Sequence, residues 1–189
     1  MKFNPTHIST YTLSIEPHTV FEKKSIKPLH NYIESTHYEW THNRLLKSNF
    51  DHYEISAFCQ PTYQSIHNLT YWKYEPFIGI GPSANSFFEN RRYTNHSSVT
   101  SYIQSPLPNR SGPVDVTIQI QEFLISNLRL YSGFQLSIFQ KRFELDFTVC
   151  FSEKLIKLID QKLLIIEYGY CKTTKKGQLL LNEVLLELI

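Results

Sequence analysis

His7-Ile-Ser-Thr-Tyr-Thr-Leu-Ser-Ile15, closed by Glu16-Pro17, is the stretch from which the fold is read. Tyr11, Leu13 and Ile15 alternate with Thr10, Thr12 and Ser14, the two-residue period of a strand with one buried face, and Pro17 ends it. Downstream the period becomes helical over about 35–48. There Thr36 and Glu39 have capping-box spacing, Tyr38, His42, Leu45 and Leu46 share a face, and Asn49 suits a left-handed stop. His52 to Phe58 reads as the next strand, and Pro76 to Gly81, beyond a polar loop, as another that runs into Gly-Pro-Ser-Ala. Strand, helix, strand, loop, strand implies parallel pairing, because a helical crossover joins parallel neighbours. The class predicted is α/β, either a small mixed sheet with helices or the last strands of a partial TIM-type barrel.

Ser105, Pro106, Pro108, Gly112 and Pro113 predict a linker over 105–113, between a first domain (1–104) and a second (114–189). Helices are expected in the second around Ile120, Phe123, Leu124 and Leu128, around Leu136, Phe139 and Phe143, and around Leu155, Leu158, Ile159 and Leu163. A hairpin about Gly169 and a closing helix from Thr174 to Leu188 make the unit α+β and winged-helix-like. Its third helix mixes Lys154, Lys157 and Lys162 with Glu153 and Asp160. That balance suits packing against the first unit better than reading DNA.

The balance of 19 basic against 17 acidic side chains leaves no field to attract nucleic acid or an anionic membrane, and 41% hydrophobic residues exclude a disordered chain. No leader is visible over Met1 to Thr10 and no apolar run could span a bilayer, so a cytoplasmic protein without a transmembrane segment is expected. Cys59, Cys150 and Cys171 are too far apart for a zinc knuckle or for the three close thiolates of a cubane cluster.

The chemistry-bearing segment is His67-Asn-Leu-Thr-Tyr-Trp72, read as a loop between two strands. An imidazole there could ligate iron, and Tyr71 and Trp72 could wall the flat face of a porphyrin. On spacing alone, ordinary loop packing is the simpler account, and none of the other histidines forms a convincing metal-ligand pair. Gly79-Ile-Gly-Pro-Ser-Ala84 suits a close backbone approach to a ligand or a tight turn. It is not a phosphate loop, since no Lys-Ser or Lys-Thr follows and Pro82 lacks a donor. Glu54 and Glu16 are the carboxylates to watch, Glu16 because a barrel strand points its carboxyl end at the ligand.

These segments together resemble the coproporphyrinogen III oxidase-like radical SAM family in its heme-chaperone branch. Residues 7–19 are similar to its sixth-strand signature, and Tyr53-Glu54-Ile55-Ser56 with Phe58 to the next strand. Residues 67–72 match the branch's His-Asn-x-x-Tyr-Trp motif, associated with heme binding, and Gly79 to Ala84 its following glycine loop. Arg92, Tyr93 and Asn95, then Glu122, Leu128, Arg129 and Gly133, continue the likeness into the family's helical carboxy-terminal domain. Ala57, Gln60, Ser83 and Asn85 depart from it, standing where Asn, Arg, Gly and His are usual.

The resemblance implies heme as ligand, held by His67, Asn68, Tyr71 and Trp72 with His67 on the iron, and heme-accepting proteins as partners. It implies S-adenosylmethionine contacts from Glu16, Gly79, Gly81 and Ala84. The family's amino-terminal Cys-x-x-x-Cys-x-x-Cys, which binds a 4Fe-4S cluster, has no counterpart here. The expectation is therefore a carboxy-terminal fragment, with radical chemistry only alongside a separately encoded amino-terminal half. Part of a coproporphyrinogen III dehydrogenase of porphyrin biosynthesis, a remnant and a winged-helix binding module are the alternatives.

Overall fold

In the computed structural model, which describes residues 3–106 and 108–189, the alternating stretch at the start is a strand only over β1 (His7–Ser9). Two helices follow, a single turn α1 (Val20–Lys23) and the long α2 (Asn31–Leu46), then strands β2 (Asp51–Glu54) and β3 (Ala57–Cys59). Only Ile55 and Ser56 join β2 to β3, too few residues for a crossover, so the two run antiparallel. On its other side β3 pairs antiparallel with β1, giving the order β1-β3-β2. The parallel pairing expected from the element order does not form, because the strand predicted over 52–58 folds back on itself. β1 is short for the same reason. Ser9 faces Ala57, the Thr10 N–H reaches the Ser56 carbonyl at 2.7 Å, and Tyr11 and Leu13, past the end of β3, are 78% and 56% exposed.

α2 begins earlier than predicted because His30 caps it, its Nδ1 accepting from the Tyr32 N–H. Thr36 therefore lies inside the helix and donates its hydroxyl back to the Tyr32 carbonyl at 2.8 Å, so no capping box forms there. Asn49 does take the left-handed conformation, at φ 60°. His42 and Leu45 are the buried positions on the inner side of α2. Leu45 packs with Phe50, Phe58 and Ile8, and His42 meets His52 of β2 with their Nδ1 atoms 2.9 Å apart. The Nε2 of His52 lies 3.1 Å from the Ile55 carbonyl. A carbonyl only accepts, so that nitrogen carries the hydrogen, and the Nδ1 of His52 accepts from the Nδ1–H of His42. Stacked on Phe58 at 3.8 Å, the His52 ring sits in an environment that penalises charge, and burial lowers its pKa to about 4 against the opposing pull of the Ile55 carbonyl.

Contacts divide the chain after Ser65. The second unit opens with α3 (Ile66–Trp72), followed by the hairpin β4 (Asn85–Phe88) and β5 (Arg91–Thr94). Glu89 and Asn90, both at positive φ, make its two-residue turn. After α4 (Val99–Gln104), strand β6 (Asn109–Pro113) completes the antiparallel sheet β4-β5-β6. The stretch expected as a linker over 105–113 thus holds an edge strand, the one place in a sheet where its prolines are tolerated. The strand expected over 76–81 reduces to a single bridge, Phe77 to Phe87.

The rest is α5 (Val116–Asn127), β7 (Phe134–Gln135), α6 (Leu136–Phe143), α7 (Phe147–Cys150), α8 (Ser152–Asp160), β8 (Leu164–Glu167), β9 (Tyr170–Thr173), α9 (Lys175–Leu179) and α10 (Leu181–Leu188). The three helices and the hairpin about Gly169 lie where periodicity puts them. Thr174 caps α9 through the Gly177 N–H, and the closing helix is broken at Leu180. β7, β9 and β8 form a second antiparallel sheet. Phe123, Phe134, Phe139 and Phe147 are buried to 3% exposure or less, in ring contacts such as Phe123–Phe134 and Phe139–Phe147 at 5.1 Å, and Leu124, Leu128, Leu158 and Val184 are equally buried. Each such side chain stabilises by about 1.5–3 kcal/mol through the area it hides. Lys154 and Lys157 of α8 are engaged with α10, one on the Leu188 carbonyl and the other on Glu187. The architecture is mixed α/β in both units.

Two predictions follow from this packing. Unfolded, His52 titrates near 6.5, and folded near 4, so between those values only the unfolded chain takes up the proton. Stability of the first unit is expected to be full above pH 6.5 and to fall toward pH 4 by at most about 3 kcal/mol. Urea unfolding followed through the exchange of α2 amides checks it, and His52→Leu should lose that slope. Gly133 sits at φ 62°, and a Cβ there would lie 2.0 Å from the Cys171 carbonyl oxygen. Gly133→Ala should cost the second unit at least about 2 kcal/mol in the same measurement.

Candidate functional site

The segment from His67 to Trp72 is helical, where a loop was expected. Its residues pair at four-residue steps: His67 lies over Tyr71 with ring centroids 4.9 Å apart at 82°, and the Thr70 hydroxyl donates to the Ile66 carbonyl. The helix ends in a Schellman arrangement. The Glu75 N–H reaches the Thr70 carbonyl and the Tyr74 N–H the Tyr71 carbonyl, with Tyr74 left-handed at φ 57°. Glycine is the usual residue there, and a tyrosine costs about 1 kcal/mol or more.

Tyr74 is held by its side chain. Its hydroxyl donates to Oε2 of Glu122 on α5 at 2.6 Å, its ring packs on Phe87 at 4.8 Å, and the Arg142 guanidinium lies 4.7 Å over it. Burial first, then the bond to Glu122, pushes the phenol pKa well above its ordinary value, so it stays a donor throughout the accessible pH range. The other oxygen of Glu122 pairs with Arg92 of β5. Trp72, on the neighbouring side of α3, is half-buried under the Arg129 guanidinium, 4.4 Å from the ring centroid. Tyr71, Trp72, Phe77, Phe87, Arg92 and Ile125 line an aromatic cleft of about 250 Å³ between these elements.

His67 itself is exposed, and its imidazole meets the Tyr71 ring. Tyr71 also meets Phe77 at 4.7 Å, and Phe77 leads to Ile78 and Ile80, which are 72% and 88% exposed. Ile66, next to the imidazole, is 82% exposed. α3 thus carries an exposed imidazole, with uncovered apolar side chains just before it in the chain at Ile66 and after the helix at Ile78 and Ile80. Asn68 is half-buried on the same helix.

Gly79, Gly81 and Ala84 come together in one loop, and its donors are engaged internally. The Gly79 N–H donates to Ser86 Oγ, that of Gly81 to the Tyr102 hydroxyl, that of Ser83 to the His96 carbonyl and that of Ala84 to the Gly81 carbonyl. Buried Asn95 donates from its amide to the Gly79 and Gly81 carbonyls at 3.2 and 2.9 Å. A Cβ on Gly79 would sit 2.2 Å from the Asn85 carbonyl, so glycine serves a tight turn here. Asn85 accepts from the Thr94 hydroxyl across the hairpin. Glu16 lies in the first unit, exposed, in an irregular segment well past the end of β1 and so not at a strand's carboxyl end as predicted. Glu54 is buried at 2% exposure. Cys59 and Cys171 are buried, which raises both thiols, Cys171 to about 12, while Cys150 is exposed.

Sequence reasoning named Arg92, Glu122 and Arg129 only as parts of a family pattern and did not name Tyr74. The spacing gives no signal for a contact between residues 48 apart in the chain.

Residues 115–180 match the family model of the HemN C-terminal domain. The backbone matches the solved structure of coproporphyrinogen III oxidase (HemN) from Escherichia coli, a radical SAM enzyme. The TM-score is 0.74 at 16% identity, covering 99% of this chain and 48% of that one, and this defines a shared fold. The chain is also 32% identical to the heme chaperone HemW of Lactococcus lactis, over 94% of its own length and 49% of the relative's. Against HemW of Bacillus subtilis it is 28% identical, over 97% of its length and 51% of the relative's. Residues 115–180 thus carry the pattern of the HemN C-terminal domain, and the chain is similar along nearly its whole length to the HemW proteins. It spans about half the length of the curated relatives it matches.

Asn95→Ala should free the Gly79 and Gly81 carbonyls from their shared donor at a cost of about 2 kcal/mol. Urea unfolding of the second unit measures that loss, and faster exchange at the Gly79 and Gly81 amides would show that the loop has slackened.

Proposed function

We propose that this chain binds heme through His67 and works as a heme chaperone, carrying heme to acceptor proteins. The observation that carries the reading is the exposed imidazole of α3, set beside Tyr71 and bordered by uncovered apolar residues. A flat, largely apolar ligand with a metal at its centre asks for this combination. The relatives named heme chaperones, matched over almost all of this chain, support it.

The residues fit the group in kind. His67 would hold the iron through one imidazole nitrogen, and Tyr71 would lie along the macrocycle. Trp72 would contribute from the inner side of α3, where it is half-covered by Arg129, and Asn68 from the same helix. Bound heme would supply an iron centre that accepts a nitrogen ligand.

The finer reading of the fold is that 1–104 corresponds to the last part of a radical SAM partial TIM-type barrel and 114–189 to a winged-helix-like domain. The match over 115–180 and the order of three helices and a hairpin in α6 to β9 support the second half of it. Cluster and S-adenosylmethionine chemistry would then belong to the part of the relatives that this chain does not span. Any contact of Gly79, Gly81 and Ala84 with S-adenosylmethionine would rest on shape, since their N–H groups are engaged. Among the described residues no helix is long and apolar enough to cross a membrane.

Hemin titrated into the chain should give a shifted Soret band. His67→Ala should weaken binding about tenfold or more and abolish that shift, whereas His37→Ala on α2 should leave it in place. A parental spectrum from the His67 variant would remove this imidazole from the role.

A further inference from the structure

α3 is seven residues long, well short of the roughly 12–15 at which an isolated helix becomes even marginal in water. Its place, and with it the direction in which His67 points, must be imposed by what it packs against. The imidazole rests on the Tyr71 ring of the same helix, so its orientation is that of the helix. Two contacts hold α3 from its inner side. At its end the Tyr74 hydroxyl is bonded to Glu122, whose second oxygen is occupied by Arg92, so the carboxylate is shared between two partners and has one orientation that serves both. On its flank the Arg129 guanidinium lies over Trp72, 4.4 Å from the ring centroid. Glu122 and Arg129 both fall within the matched carboxy-terminal domain.

We infer that Tyr74, Glu122 and Arg129 are positioning residues for the His67 helix, through which the carboxy-terminal domain sets the geometry of the imidazole toward heme iron. The inference rests on the heme reading above and adds the residues that make the ligand rigid. It accounts for the left-handed tyrosine: a glycine at that position would close the helix without strain but would carry no hydroxyl to tie it to α5.

The test compares Tyr74→Phe, which removes one oxygen and keeps the ring, with Glu122→Ala, Arg129→Gln and the conservative Glu122→Gln. Two readouts are taken on the full chain: amide exchange of residues 66–72 without hemin, and the Soret spectrum and hemin release rate with it. Tyr74→Phe and Glu122→Ala should speed exchange in α3 about tenfold, the loss of one hydrogen bond to a charged group, while α5 stays protected as in the parent. With hemin, both should give a mixed-ligation spectrum and faster release. Arg129→Gln should act in the same direction. Glu122→Gln keeps an acceptor for the tyrosine and should lie between the parent and the alanine variant. Parental exchange in α3 for Tyr74→Phe and Glu122→Ala, or a parental hemin spectrum in both despite loosened exchange, overturns the inference while leaving His67 as ligand. A parent chain that takes up no hemin overturns the heme reading itself, and this inference with it.

Discussion

Glu122 presents two carboxylate oxygens to two different elements: one receives the Tyr74 hydroxyl at the end of α3, and the other meets Arg92 on β5. Helix α5, which carries Glu122, also supplies Phe123 and Leu124 to the core of the second unit, so the carboxylate stands on a helix anchored in that core. A short helix, a hairpin and the aromatic core are thereby fixed relative to one another through a single side chain. The strain at Tyr74 is offset by this bond together with the packing of its ring on Phe87 and Arg142, and an exposed imidazole gains a defined direction as a result.

The two units reach stability by different means. The second is closed largely by aromatic rings packed edge to face. The first has a small apolar cluster and two imidazoles bonded to each other beside it, with the His52 ring stacked on Phe58. Such a centre favours one arrangement of α2 over the sheet, because only one tautomer of His52 satisfies both the His42 ring and the Ile55 carbonyl.

The helices of the second unit were legible because their apolar residues recur over several turns, and the hairpin about Gly169 because turn chemistry is local. Pairing direction in the first sheet was not legible, since Ile55-Ser56 reads as the middle of a strand by alternation and gives no Gly or Asn to announce a turn. α3 was missed because seven residues hold fewer than two repeats of the helical period, and β6 because prolines hide an edge strand. Within the candidate site, the residue types of 67–72 were legible and their support was not. The partners of Tyr74 and Trp72 lie about 50 residues downstream, where no local pattern points to them.

β1 is an outer strand of its sheet, and the chain runs on from it with Tyr11 and Leu13 largely uncovered in a sequence that still alternates like a strand. Backbone donors and acceptors along such a border are open to any extended polypeptide that comes near. Concentrated solutions of the chain are therefore prone to self-association through this border. A charged replacement such as Leu13→Lys, far in sequence from the imidazole of α3, is the natural way to keep it in solution.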